Sequence, residues 1–515
     1  RARAVPLARG RGMIGRRGFL ASAAAAVTMP ARVHGDTSGP DESLVEAARR
    51  LASRPYERAR RDLPPPFANL TYDSYRAIRP KPGQAAQLPL GPGHAFDLLP
   101  PGFYYRTPVT VEVMKPDGPQ AVSFAPELFD FAERYFPAPI PRQAPGAGFS
   151  GLRLRHPLND PATKDEVLVV QGASYFRAVA AGTVYGLSAR AVALDTGGPG
   201  PEEFPEIVHL RLTPATPEAP PLIEALIDSP SLAAHLALSP RPGGATVTRC
   251  ALTLFPRRLL EDAGIAPLTS MFFKGPMQPA VTDDFRPRVH DSAALRIDNG
   301  AGETLWRPLA NPARIQTSAF ADHGPRGFGL IQRPRAFDGF EDAEAAYHRR
   351  PTAWVRPESD WGAGAVTLVE IPTADEFMDN IVAFWRPEAP LAPGTAHHFR
   401  YDIVWSKAAP PAPGLAPIRD SRSGRVHDRS GARQFVVDYA TGRTDLAPRL
   451  SVGGAEADGL AAYPLPGGRG LRVGFQLLPG AAEVAELRLV LEDGMGRAAS
   501  PVWLWRWTRA QDGGV

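Results

Sequence analysis

The sequence predicts a mostly β protein, built as a large N-terminal β-sandwich followed by a C-terminal immunoglobulin-like sandwich. Two observations carry the β assignment. Proline and glycine are frequent (57 and 49 of 515 residues), about a fifth of the chain, which interrupts long helices and suits short strands joined by turns. Runs of alternating apolar and polar residues recur along the chain, and strands with turn signals between them at this density argue for antiparallel sandwiches over a parallel α/β fold. Composition also narrows function. Hydrophobic residues make up 43% and charged residues 22%, a globular balance. A net charge of +4 gives no basic stripe for nucleic acid. One cysteine, Cys250, excludes an intramolecular disulfide and a multi-cysteine metal site.

Taken in order, residues 1–35 read as an address. Arg16-Arg17-Gly18-Phe19-Leu20 opens an apolar stretch from Ala21 to Met29, too short to span a bilayer, with a small-residue exit at Val33-His34-Gly35. The paired arginines before an apolar residue suggest a twin-arginine signal and hence a periplasmic protein; Met13 is a candidate start. No later segment approaches eighteen apolar residues, so no membrane span is expected.

A short helix is expected over 42–53, where Leu44, Ala47, Ala48 and Leu51 share one face and Pro55 ends it. A second is expected over 126–135, with Pro126 in the first turn. Strands are expected at 109–113, 152–155, 207–213 and 366–371. Two places suggest a boundary near the C-terminal part. The proline-rich 408–414 reads as a stiff linker, and the domain division is drawn at 36–395 and 396–515. Beyond the linker, strands at 434–439, 471–477, 486–492 and 502–508 fit an immunoglobulin-like sandwich of about a hundred residues. Trp503, Trp505 and Trp507 share one face of the last strand, which reads as a packed aromatic core or an inter-domain face rather than a sugar platform.

Common catalytic signatures do not occur: no HExxH, CxxC, GxSxG or P-loop, and Gly172-Ala173-Ser174-Tyr175-Phe176 fails the nucleophile-elbow pattern at its last position. The histidines lack ligand spacing, and His397-His398 would point to opposite faces of a strand, so neither a metal nor another cofactor is expected. Residues 268–387 are rich in aromatics, acids and arginines, among them Trp306, Tyr347, Arg350, Trp354, Trp361 and Glu370. Aromatic faces stack on sugar rings, while acids and arginines hydrogen-bond hydroxyls. A glycan-binding cleft follows from this composition. A catalytic carboxyl pair does not, because surface acids are common and mostly inert.

Longer blocks carry a resemblance: Tyr72-Asp73-Ser74-Tyr75-Arg76-Ala77-Ile78-Arg79, Gly172-Ala173-Ser174-Tyr175-Phe176-Arg177, Val184-Tyr185-Gly186-Leu187-Ser188-Ala189-Arg190, Gly264-Ile265-Ala266-Pro267-Leu268-Thr269-Ser270-Met271-Phe272, Asp284-Phe285-Arg286-Pro287 and Asp379-Asn380-Ile381-Val382-Ala383-Phe384-Trp385. In this order they resemble the osmoregulated periplasmic glucan biosynthesis proteins G and D, and the leader looks more like protein D. The resemblance implies a galactose-mutarotase-type N-terminal sandwich and a β-1,2-glucan substrate. The implied chemistry is that of inverting endo-β-1,2-glucanases or of transfer that closes the glucan into a ring. It implies Asp379 as general acid, Asp291 as general base, and Tyr347 in the cleft lining. Trp354, Trp361, Arg350, Trp306 and Glu370 complete the expected substrate-binding set. Ala293, where many relatives carry an acid, and Phe377-Met378 depart from the family pattern and bear on subsite contacts. The residues themselves add two arguments. Phe377, Met378, Ile381 and Val382 would give Asp379 an apolar setting that keeps it protonated, and Arg286, Arg288 and His290 would keep Asp291 ionised. Two rival functions stay open: a non-catalytic glucan-binding partner of the membrane glucan synthase, and a mutarotase-like epimerase acting on free sugars. A homodimer is compatible with either.

Overall fold

A computed structural model describes residues 42–512 apart from 60, 279–282 and 430. The expected leader lies outside the described residues. No described helix is long and apolar enough to cross a membrane.

The chain is mostly strand. The first helix, Leu44–Ala52, forms as expected: Ser43 caps it by accepting the Glu46 N–H, and Leu44, Ala47 and Ala48 are buried. The helix expected over 126–135 does not form. Pro126–Leu128 is a single 3-10 turn, and Phe129–Phe131 continues as a strand paired with Ile78–Pro80. Phe129 and Phe131 engage different rings, Phe124 and Phe149 for the first and Phe67 and Phe136 for the second, and this aromatic packing overrides a weak helical pattern.

Two long sheets build the N-terminal part. One runs, in spatial order, through Gln87–Pro89, Ala95–Leu99, Gly151–Pro157, Lys164–Gln171, Tyr175–Ala178, Ser188–Arg190, Gly264–Ser270, Ile381–Pro387, Ala363–Glu370 and Gln316–His323. The other holds Leu222–Asp228, Leu232–Arg241 and Thr246–Pro256 as successive antiparallel neighbours and reaches Thr352–Pro357 through His397–Ser406. Leu98, Leu154 and Leu168 of the first sheet share a core with Leu212, Leu236 and Leu252 of the second. Burial of this alternating apolar set holds the sandwich together.

His397–Ser406 sits in the middle of the second sheet, between Thr246–Pro256 and Thr352–Pro357. A boundary at 396 would cut this central strand away from its sheet. His397 and His398 take different partners there: Ala392 O for the first and Thr253 Oγ1 for the second.

Beyond the linker, four strands (Ile418–Arg425, Arg433–Tyr439, Leu471–Leu478 and Glu456–Pro464) form one sheet. Three more (Ala447–Gly453, Val484–Glu492 and Val502–Thr508) join the end of the second long sheet, where Val502–Thr508 pairs in parallel with Thr304–Pro308. Their shared core holds Phe435 stacked on Phe475 at 5.3 Å with Trp503 edge-on to both. Trp503, Trp505 and Trp507 are all buried, and Trp503 Nε1 donates to Ser421 Oγ at 2.9 Å. The tryptophan stripe is core.

Candidate active site

Alternation along two neighbouring strands makes the wall of the main cleft. In Lys164–Gln171, Leu168 and Val170 enter the core while Val169 and Gln171 face the cleft; in Tyr175–Ala178, Phe176 and Ala178 are buried while Tyr175 and Arg177 face it. Tyr104, Tyr105, Tyr185 and Asp379 complete an open cavity of about 450 Å3. Tyr104 is 82% exposed at the rim, and Phe377, beside Asp379, is 88% exposed. Bare aromatic faces at a cleft that also carries Glu166, Gln171, Arg177 and Asp379 suit a polyhydroxylated ligand.

Asp379 ends a loop whose base is pinned by its neighbour. The Asn380 side chain accepts from Phe272 N–H at 2.8 Å and donates to the carbonyls of Phe272 and Ile371 at 3.0 and 2.9 Å. The Asp379 carboxylate is half-exposed and pairs with Arg177 Nη2 at 3.6 Å. The apolar setting expected for it is absent. Ile381 and Val382 turn into the core, whereas Phe377 and Met378 project into solvent.

Asp291 is built from the same piece of backbone. Its N–H donates to Met271 O at 2.9 Å, and the ring of the preceding His290 stacks on Phe272 at 5.2 Å and 5°. Phe272 thus braces both acids, through Asn380 on one side and His290 on the other. Burial holds His290 neutral, lowering it to about 3. Gln332 locks the arrangement: its Oε1 meets His290 Nδ1 at 2.9 Å, and its Nε2 donates to His290 O at 2.7 Å and Tyr347 O at 2.9 Å.

Asp291 is buried, and Arg350 Nη1 donates to its Oδ1 at 2.5 Å. Burial pushes the carboxyl up to about 6, with Arg350 opposing the rise and the charge of Asp379 adding to it. The charge of Arg177, which pairs with Asp379, also acts on Asp291. The expected guardians of its charge do something else. Arg286 binds Asp284, Asp342 and Glu376, and Arg288 binds Asp420. The partner is Arg350, 59 residues away in the chain, which no reading of adjacent residues could reveal.

Arg350 and, beneath its guanidinium, Tyr347 lie beside Asp291, and neither is among the residues lining the cleft. The Arg350 guanidinium lies 4.5 Å over the Tyr347 ring and also donates to Ala345 O. Burial first, then the charge of Glu376, raises the Tyr347 phenol above its usual value. The stem of Arg350 runs against Gly186, where a Cβ would sit 2.9 Å from Arg350 Cβ and 3.1 Å from its Cδ. Gly186 belongs to one of the family-like blocks, and the reason for glycine is this close approach. Gly186→Ala should therefore displace Arg350 from Asp291, costing about 1–3 kcal/mol of stability by overpacking. It should also cut any turnover that depends on Asp291. Denaturant unfolding and product formation measure the two effects, and unchanged values for both would refute the contact.

The other four expected binding residues are not brought to the cleft. Trp354 lies in a strand interior, packed against Gly327 and Gly329 and under Arg296 at 5.0 Å. Trp306 is buried beneath Arg333 at 5.0 Å. Trp361 packs edge-on to Phe399 and Tyr401 at 5.9 and 5.8 Å. Glu370 is fully buried, accepting from Arg307 at 3.1 Å and Ala310 N–H at 2.7 Å. Each satisfies the core of the sandwich. Conversely, Tyr104, Tyr105, Tyr175, Arg177 and Tyr185 line the cleft without having been singled out individually. Three of them, Tyr175, Arg177 and Tyr185, sit in the blocks that carry the family resemblance.

Fold and site together define a β-sandwich protein with an aromatic-rimmed cleft in which the Asp379 carboxylate pairs with the Arg177 guanidinium. The family described as periplasmic glucan biosynthesis protein, MdoG, matches residues 41–507, and the chain belongs to it. It is 42% identical over 476 residues to glucans biosynthesis protein G of Shewanella frigidimarina, covering 91% of this chain and 84% of that one. Glucans biosynthesis protein G of Rhodopseudomonas palustris is 41% identical over 514 residues, 96% and 99% of the two chains. The protein G of Vibrio cholerae is 40% identical over 479 residues, 91% and 86% of the two.

Proposed function

We propose that this protein acts in the periplasm on a β-1,2-glucan, with inversion at the anomeric carbon, by endo-hydrolysis or by transfer that can close a ring. Asp291 is the general base and Asp379 the general acid in this reading. What supports it is the raised carboxyl of the buried Asp291, about 6, on which the charge of the half-exposed, cleft-lining Asp379 acts. A base works best when its conjugate acid titrates near the working pH, and a carboxyl near 6 is ionised yet more basic than an ordinary aspartate. An inverting pair needs room for a nucleophile between acid and base. A general acid must also meet its substrate carrying a proton, so the Arg177 contact has to give way as a sugar enters beside Asp379.

That ion pair is the observation favouring a second reading, in which the cleft binds glucan without turnover and hands it to the membrane synthase. Incubating the purified protein with linear β-1,2-glucan and resolving the products by mass separates the two. Shorter or cyclic products support catalysis; binding with unchanged chains supports the second reading.

A closer likeness to protein D than to protein G, and with it export of the folded chain, is proposed on Arg16-Arg17. Changing both to lysine should leave the precursor in the cytoplasm, because the twin-arginine route reads that pair directly. Efficient periplasmic recovery of the double variant on fractionation would mean an ordinary secretory signal.

A further inference from the structure

Glu166, Val169 and Gln171 line a second cavity of about 610 Å3 as well as the cleft, so the two spaces adjoin. Gln171 fixes the sill between them, its Nε2 donating to Tyr75 Oη at 2.7 Å and Ser150 Oγ at 2.8 Å. Aromatic rings form the common wall: Tyr75 lies 5.6 Å from Tyr105 and 6.4 Å from Phe103, and Phe103 lies 4.0 Å from Tyr104.

The chemistry of the two spaces differs. In the cleft, Arg177 faces Asp379. In the second cavity Arg153 and Arg155 are likewise neutralised, by Glu166 at 2.9 Å and Asp97 at 2.7 Å. Arg76 and Arg79 line it as well, both exposed, and among the described residues neither has a carboxylate partner. Arg76 is held over the Tyr72 ring at 5.3 Å, which orders its guanidinium without neutralising it. A cavity with two uncompensated guanidinium groups draws an anion, and the planar fork of arginine matches phosphate or carboxylate oxygens. A neutral sugar would find the cavity's two carboxylates already occupied by arginines.

We propose that this cavity is a distal subsite for a negatively charged substituent, a phosphate ester or a carboxylate, carried by a glucan whose backbone lies in the main cleft. It rests on the glucan reading above. The test compares the full mature chain and its Arg76→Gln/Arg79→Gln variant by calorimetry. The probes are a linear β-1,2-gluco-oligosaccharide, the same oligosaccharide bearing a phosphate ester, and the same bearing a carboxylate. Both arginines are exposed, so an unchanged melting temperature serves as the folding control. The wild type should bind at least one charged probe about tenfold tighter than the neutral one, a gain of the size two surface ion pairs supply. The gain should shrink in high salt and vanish in the variant, which should bind the neutral probe as the wild type does. The probe that gains identifies the anion. Equal affinities for all three probes, or a gain that survives in the variant, would overturn the subsite while leaving the glucan reading intact. If the wild type bound none of them, the glucan reading would fall and the subsite with it.

Discussion

Asp379→Asn should abolish most turnover of linear β-1,2-glucan while glucan binding stays close to that of the wild type. The amide keeps the shape of the side chain and can still lie beside Arg177, but it has no proton of suitable acidity for the leaving oxygen. Loss of general-acid assistance typically costs about 10²–10⁴-fold. The structure adds a second readout. The charge of Asp379 contributes to the raised position of Asp291, so removing it should shift the acid limb of the residual pH–rate profile to lower pH. Product analysis gives the first result and the pH profile of the remaining activity gives the second. Turnover within a few-fold of the wild type would remove Asp379 from the chemistry. A large loss with an unmoved acid limb would show that the two carboxyls do not share a field.

What the sequence disclosed follows the locality of each feature. The strands around Phe435, Phe475 and Trp503 were readable because alternation is a property of neighbouring residues, and burial on one face of a strand imposes it directly. The segment 126–135 misled for the same reason in reverse. Its helical spacing is local, but Phe129 and Phe131 are fixed by rings from distant parts of the chain. The richness of 268–387 in tryptophan and acids pointed to a cleft, yet Trp306, Trp354 and Glu370 are there because their strands cross the core, and Trp361 because its loop packs into it. The cleft wall comes instead from 104–107, 166–177 and 185, brought to Asp379 by sheet order. Asp291 and Asp379 were reached through family resemblance alone. The physical arguments attached to them failed, because the charges that matter to Asp291 belong to Arg350, Asp379 and Arg177, all remote in sequence.

Asp291→Asn should slow hydrolysis and transfer together, by about 10²–10⁴-fold, since water and a sugar hydroxyl must both lose a proton to attack. In the wild type, activity should fall as pH drops through about 6, where Asp291 takes up its proton. The same carboxyl makes a stability prediction of fixed sign. Its folded value lies above the unfolded value of about 3.9, so the folded state holds the proton more tightly. The associated stability is fully present below about pH 4 and is lost as pH rises through 6, a change on the order of 2–3 kcal/mol. The asparagine variant has no such loss. Its melting temperature relative to the wild type should therefore climb between pH 4 and pH 7, even as its activity disappears. A neutral amide no longer balances Arg350, but that guanidinium keeps Ala345 O and the Tyr347 ring, so the fold retains its other contacts. If hydrolysis vanished while transfer persisted, Asp291 would position water rather than serve as the shared base. If the stability difference stayed flat with pH while both activities fell, the base would be some other group and Asp291 would act by holding Arg350 and Tyr347 in place.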